Sequence, residues 1–386
     1  LVPDLTAKAA RTAASNAGAK VVKTFAYEIS GSEQQEIYDI NPDLVLLCGG
    51  TDGGNKEVII SNAKHLVAID RPFTTIVAGN KSANDDIKAI FNEAGKDVVI
   101  TENVMPQFNK LNIEPARDAI RQLFISRIIE AKGLNILQAM TPYKIIPTPL
   151  AVLHACELLS KGTKTQQGRG DLLAVDIGGA TTDVYSMASG EPTVDNTMLK
   201  GLPEPWMKRT VEGDLGMRYS LTHVYEQIPG ADNPENEYMQ QVKAWVELCT
   251  ARPDTLAAPG SEEEKLEEFL GRSAVSMAVE RHCGRIADVY TPLGLMHTQE
   301  GKDLMNVPSV IGIGGVLRNS RRPEEILKGS LYDFMHPECT KPRKPKFYLD
   351  QKYIFASMGL LCSINPELAF ELLDKETVEI GCNATV

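Results

Sequence analysis

The sequence predicts an α/β protein, with a parallel α/β subdomain at its start and a larger lobe after it. Three observations carry this. Short apolar runs alternate with helical patterns over roughly the first third of the chain, which is the signature of parallel strands joined by crossover helices. An apolar strand, Leu172 to Val175, then runs into Asp176-Ile177-Gly178-Gly179-Ala180-Thr181-Thr182-Asp183 and resumes at Val184-Tyr185, reading as a hairpin with a polar tip. Finally, Val310 to Ile313 reads as a strand that turns into a helix at Gly314-Gly315.

Taken in order, the elements are as follows. Residues 4–18 read as a helix with Asp4 and Thr6 as caps and Gly18 as terminator. Val21 to Tyr27 is strand-like, 32–40 helical, and Leu44 to Cys48 an apolar strand. Helices at 55–64 and 82–93 alternate with strands at Thr75 to Ala78 and Asp97 to Thr101. A longer amphipathic helix over 114–132 places Ile120, Leu123, Phe124 and Ile128 on one face. Pro149 opens the next helix, where its missing N–H costs nothing, and Ala151, Val152, Ala155 and Leu158 make its packed face. A polar loop over 161–170 leads to the hairpin. Beyond it, Thr210 to Leu215 reads as a turn and helix start, with Glu212 and Asp214 favoured there by the helix dipole. A helical, acidic insert is expected over 223–270, including Trp245 and Leu248, then a helix over 273–290, a strand at Tyr353 to Leu361 and a closing helix from Pro366. The domain reading is 1–140, 141–170 and 171–386.

Composition narrows the function classes. The 386 residues carry 51 acidic against 40 basic side chains, a net charge of −11, which argues against a general phosphate-backbone binder. The runs Arg321-Arg322 and Lys341 to Lys346 are local, and the second reads as a solvated proline-rich loop. Seven cysteines lack CxxC or zinc-ligand spacing. Cys48, Cys156, Cys249 and Cys362 look like core thiols, which suits a reducing cytoplasm. Cys283 follows His282, but neighbours on a helix do not face each other. No apolar stretch is long enough to span a membrane, and no signal-peptide pattern is seen.

The chemistry concentrates at the hairpin. Glycines let backbone N–H groups turn inward to make a concave anion site, threonine hydroxyls add donors, and Asp176 at a strand end can hold hydrated Mg²⁺. The glycine loop 49–54 (GGTDGG) follows a strand and precedes a helix, where α/β proteins bind ligands, but it lacks both GxGxxG spacing and a P-loop lysine. A ligand site and a structural turn both remain open there.

The D-x-G-G-x-T-T-D hairpin resembles the second phosphate-binding hairpin of the actin, sugar-kinase and heat-shock-chaperone ATPase superfamily, whose lobes are ribonuclease-H-like. IIPTPLAVLHACEL at 145–158 resembles the segment closing the first lobe of chaperone-type members, with Thr148 where the family carries an acid. As a whole the chain resembles the MutL family encoded beside glutamate mutase, on LVPDLTAKAA, LLCGGTDGGNKEVI, LLAVDIGGATTDVYS, RTVEGDLGMR, VIGIGGVLRN and YIFASMGLL. The resemblance implies ATP and Mg²⁺ as cofactors. It implies an adenosylcobalamin-dependent mutase as partner, through which alone adenosylcobalamin enters, and a cytoplasmic reactivating or assembly role. It leaves weak ATPase activity and homo-oligomerisation open. The D-x-G-S-T loop that opens the family is absent from the chain as given, so half of an ATP clamp is expected to be missing.

The candidate catalytic residues are Asp176 and Asp214, with Asp176 also the metal ligand. The nucleotide-binding candidates are Gly178, Gly179, Ala180, Thr181, Thr182, Asp183, Gly312, Gly314 and Gly315. Two other readings stand beside this one: a small-molecule kinase or ATP-driven amide-ring hydrolase of the same fold, with Asp214 as base, and a binding scaffold that does not depend on nucleotide.

Overall fold

The computed structural model describes residues 6–381 apart from 18, 20, 109, 132–134, 144, 202–203, 232 and 293. Asp4, Gly18 and the first residues of LVPDLTAKAA therefore lie outside the described residues, as do the side chains of Phe124 and Ile128. The chain divides into two compact units, Leu1–Pro147 with Gly201–Pro203, and Thr148–Lys200 with Glu204–Val386.

In the first unit, helices α1 (Lys8–Asn16) and α2 (Gly31–Ile40) precede β1 (Leu44–Leu47), α3 (Glu57–Val67), β2 (Thr74–Val77), α4 (Asn84–Glu93), β3 (Val98–Ile100), α5 (Glu114–Ala131) and α6 (Asn135–Ala139). The three strands are parallel in the order β1-β2-β3. Both faces of such a sheet are covered, so β2 is buried along its whole length. Ser30 starts α2 with a reciprocal capping box to Glu33. Val21–Tyr27, expected as a strand, joins no ladder. Phe25 packs on the core while Val22 and Tyr27 are exposed, so the run has no buried face to define a register.

The second unit begins with α7 (Thr148–Lys161) and continues with β4 (Leu172–Ile177), β5 (Thr182–Met187), β6 (Thr197–Lys200), β7 (Met207–Glu212), α8 (Leu221–Glu226), α9 (Glu237–Ala251) and α10 (Glu262–His282). It ends with β8 (Arg285–Thr291), β9 (Gly294–Glu300), β10 (Ser309–Ile313), α11 (Gly315–Asn319), α12 (Pro323–Leu327), β11 (Lys346–Asp350), α13 (Phe355–Leu361), α14 (Pro366–Glu376) and β12 (Thr377–Glu379). Six strands form one mixed sheet, β12-β11-β10-β4-β5-β7, and β6-β9-β8 form a small second one. β4, β10 and β11 run parallel, while β5 is antiparallel to both β4 and β7. The period-2 rule then sorts the side chains. Leu173, Val175, Ile177, Val184, Val310, Phe347 and Leu349 join the core formed with α8, α9, α10 and α12. Their neighbours along each strand, Asp176, Asp183, Tyr185 and Asp350 among them, point to the opposite face, which α7 covers.

Four expectations are corrected in this unit. Most of residues 353–361 is helix α13 (Phe355–Leu361), not a strand, because the Asp350 carboxylate accepts from the N–H groups of Ile354 (2.9 Å) and Phe355 (3.0 Å) and so starts a helix. The last parallel strand is instead β11, part of which was hidden behind the basic run; Lys341 of that run is buried and donates to Ser276 Oγ at 2.9 Å. Residues 207–212 are a strand, so Glu212 ends β7 and stands at no helix N-terminus. Finally, 262–282 is one helix capped by Ser261, with Arg285–Thr291 a strand after it. Gly271 does not break that helix; it lets α10 approach Ile326 of α12.

Helix α7, assigned from the sequence to the first lobe, packs across α13 within this unit. The crossing is close enough that a Cβ on Gly359 would sit 1.7 Å from the Ala151 carbonyl oxygen. Gly359→Ala should therefore force the helices apart and cost roughly 2–3 kcal/mol. Urea denaturation checks this as a lower midpoint at unchanged slope.

Candidate functional site

The register of β10 on β4 pairs Ile313 with Asp176, so the glycine corner and the hairpin reach the same end of the sheet. Gly314 has φ 102°, and a Cβ there would lie 2.4 Å from the Ile177 carbonyl oxygen and 2.8 Å from Asp176 Oδ1. Only glycine permits this approach. The two sequence motifs are thus brought into direct contact.

The hairpin tip is asymmetric in its hydrogen bonding. Gly178 N–H closes the turn onto Thr181 O at 2.9 Å. The carbonyls are tied from one side by the segment 216–220: Met217 N–H donates to Gly178 O (3.1 Å), Arg218 and Tyr219 N–H to Gly179 O (2.8 Å each), and Ser220 Oγ to Ala180 O (2.8 Å). Gly216 passes so near that a Cβ would lie 2.3 Å from the Ala180 carbonyl carbon. Among the described residues no intramolecular acceptor is found for the N–H groups of Gly179, Ala180 and Thr181. Donors thus remain for an anion while the acceptors are spent.

The other proposed residues separate by role. Thr182 is buried and its hydroxyl donates to the Leu215 carbonyl. Asp183 is buried and paired with Arg209, with Nε–Oδ1 2.8 Å. Both anchor the hairpin from behind instead of facing a ligand. Gly312 lies on the core face, where a Cβ would meet Leu317 and Leu327, so its smallness serves packing. Gly315 is open, with nothing nearer than 3.9 Å to a built Cβ. Asp214 is gripped by Arg281 (2.8 and 2.9 Å) and by Gln227 (3.0 Å). Those bonds hold it at about 2, led by the Arg281 contact, which makes it a weak proton acceptor at neutral pH. Glu212 shares the same arginine at 2.7 Å.

Asp176 is the unusual group. Burial, reinforced by the Asp183 and Asp350 carboxylates, pushes it up to about 7. Asp350, raised by its own burial, spends both oxygens on the α13 N-terminus. Among the described residues no group of three or more His, Cys, Asp or Glu is placed to hold a metal ion. A cation at this end of the sheet would rest on the Asp176 carboxylate, with water and ligand oxygens completing its shell. Sequence reasoning missed Arg209, Gly216, Arg218, Ser220, Asp350 and Tyr353. Of these, only the G-D-L-G spacing at 213–216 was a usable signal, since a glycine four residues past a strand end marks a tight return. Tyr353 is held at φ 58° and is 54% exposed. The His282–Cys283 pair is no dyad: His282 is fully buried between Ser186 Oγ (2.8 Å) and Thr210 Oγ1 (2.9 Å).

A family model described as MutL protein matches residues 1–377. The chain is also 46% identical over 383 residues to Protein MutL of Clostridium tetanomorphum, covering 98% of this chain and 82% of that protein.

Two outcomes follow from the site. The native protein holds an additional proton on Asp176 between the unfolded value near ~4 and about 7. Its contribution to stability is full below that window and is lost as pH rises through it. Asp176→Asn should abolish that decline and raise the melting temperature at pH 8. Tyr353→Gly should also stabilise, by about 1 kcal/mol, because glycine carries no left-handed penalty. Thermal melts between pH 5 and 8 check both.

Proposed function

The chain belongs to the MutL protein family, and on that premise we propose that it binds ATP with Mg²⁺ at the hairpin and glycine corner and serves as a reactivating or assembly factor for an adenosylcobalamin-dependent mutase. The single observation that carries the nucleotide half is the approach of Gly314 to Asp176 and Ile177, which gathers a carboxylate, the hairpin amides and a glycine corner at one sheet end. The strand order β7-β5-β4-β10-β11, with β5 antiparallel to its neighbours, supports a ribonuclease-H-like reading of this unit as an actin- or chaperone-type ATPase lobe.

In this reading Gly179, Ala180 and Thr181 amides face the polyphosphate, Asp176 holds the hydrated metal, and Gly314-Gly315 lie beside the nucleoside. Bound MgATP would supply a cleavable phosphate and hence two ligand states. A partner's equilibrium then shifts only by the difference in affinity between those states. Thr148 opens α7 where chaperone-type relatives carry an acid, which favours slow turnover or nucleotide sensing without hydrolysis. The arginine-bound state of Asp214 weighs against the kinase alternative. The mutase half rests on the family resemblance.

Titration calorimetry should show MgATP binding that tightens as pH rises through about 7, because the metal requires an ionised Asp176. Asp176→Asn should lose the magnesium-dependent part, although it stabilises the unliganded protein. No heat with MgATP, either from this chain or from a longer one that carries the D-x-G-S-T loop, would end the nucleotide reading. Separately, a mutase inactivated during turnover should recover activity with this protein and MgATP, and no recovery would end the partner reading.

A further inference from the structure

We infer that the first unit carries a second ligand site, a cleft at the carboxyl ends of β1, β2 and β3 that takes a small molecule bearing a primary ammonium group. The loops that follow all three strands supply its walls, which include Asp52, Lys81, Asn84, Glu102, Asn103 and Asn112, and the cleft, open to solvent, has a volume of about 580 Å³. This size suits a small metabolite, and the place is where open α/β sheets bind ligands.

The cleft is built at some cost. Asn80 is fully buried and Asn103 is 3% exposed. Asn80 Oδ1 accepts from Gly53 and Ser82 N–H (3.0 Å each), and its Nδ2 donates to Gly54 O (2.9 Å) and Asn55 O (3.2 Å). Asn103 Nδ2 donates to Gly50 O (2.9 Å) and Asp52 Oδ1 (3.0 Å), and its Oδ1 accepts from Met105 N–H (3.0 Å). Two satisfied asparagines thus lock three loops together, a pre-organisation that burial alone does not require. The glycines permit it: at Gly50, with φ +71°, a Cβ would lie 2.2 Å from Asn55 O.

The charges on the wall decide the ligand's chemistry. Part of the glycine loop spends its amides within the protein: Asp52 N–H on Pro106 O (3.0 Å), Gly53 N–H on Asn80, and Gly54 N–H on Thr51 O (2.9 Å). The carboxylates of Asp52 and Glu102 on the same wall disfavour a phosphate. They also offer acceptor oxygen. Asp52 uses Oδ1 on Lys81 N–H and Asn103, and Glu102 uses Oε2 on Asn112 Nδ2 at 3.0 Å, so each keeps its second oxygen. Two carboxylates favour a cationic donor over a neutral polyol, because charge-assisted hydrogen bonds are the stronger. Lys81 adds a single positive charge to the wall. An amino acid would place its carboxylate on that charge, whereas a diamine would not use it.

Thermal shift and calorimetry on the whole chain with putrescine, L-alanine and D-ribose test this. At least one amine should stabilise the protein, and Glu102→Gln, which retains the Asn112 contact, should weaken it at least about tenfold. Asp52→Asn should act alike, and circular dichroism separates lost binding from lost folding. L-alanine binding that Lys81→Met abolishes assigns an amino acid; binding of putrescine but not of L-alanine, unchanged in Lys81→Met, assigns a diamine. No shift with either amine, an equal shift with ribose, or amine binding unchanged in a folded Glu102→Gln would overturn the inference. None of these outcomes depends on MgATP.

Discussion

One close contact organises the larger unit: the backbone of Gly314 lying against Asp176 and Ile177. It follows from a register. Parallel pairing of β10 with β4 sets Ile313 beside Asp176, and the next residue must turn away at once into α11. Any side chain at 314 would push the turn off the hairpin. The closeness of the glycine corner to the Asp176 carboxylate exists because this space is empty.

Behind the tip, the sheet provides rigidity. Arg209 and Asp183 face each other across β5 and β7 and are almost wholly removed from solvent. Such a pair contributes little net stability once its desolvation is counted, but breaking it would strand a charge. Thr182, bonded to the Leu215 carbonyl, fastens the next residue. The polar letters of the motif thus split into two classes, those that hold the tip and those that present it. Their spacing alone does not reveal the split.

Much of this was legible in the sequence, for definite reasons. The alternation of β1, α3, β2, α4 and β3 is strongly periodic, and apolar runs such as Thr74–Val77 have few other uses. The hairpin announced itself through glycines and flanking acids. What stayed hidden depended on partners distant in the chain. Asp350 caps α13 only because β11 ends beside it, so YIFASMGLL carried no helix mark of its own. Met207–Glu212 looks irregular until Arg209 meets Asp183. Asp214 resembled a base until Arg281, contributed by the end of α10, closed on it.

The one-sided fastening of residues 178–181 gives that bend an electrical handedness. Its carbonyl oxygens are tied back by residues 217–220, while among the described residues no acceptor is found for the amides of Gly179, Ala180 and Thr181, and Asp176 stands at the same end of the sheet. A bare polyanion meeting those amides would be repelled by that carboxyl once it ionises. An anion arriving already wrapped around a divalent ion would be attracted by both. Such a bend would discriminate between charge states of the same visitor, with no moving part.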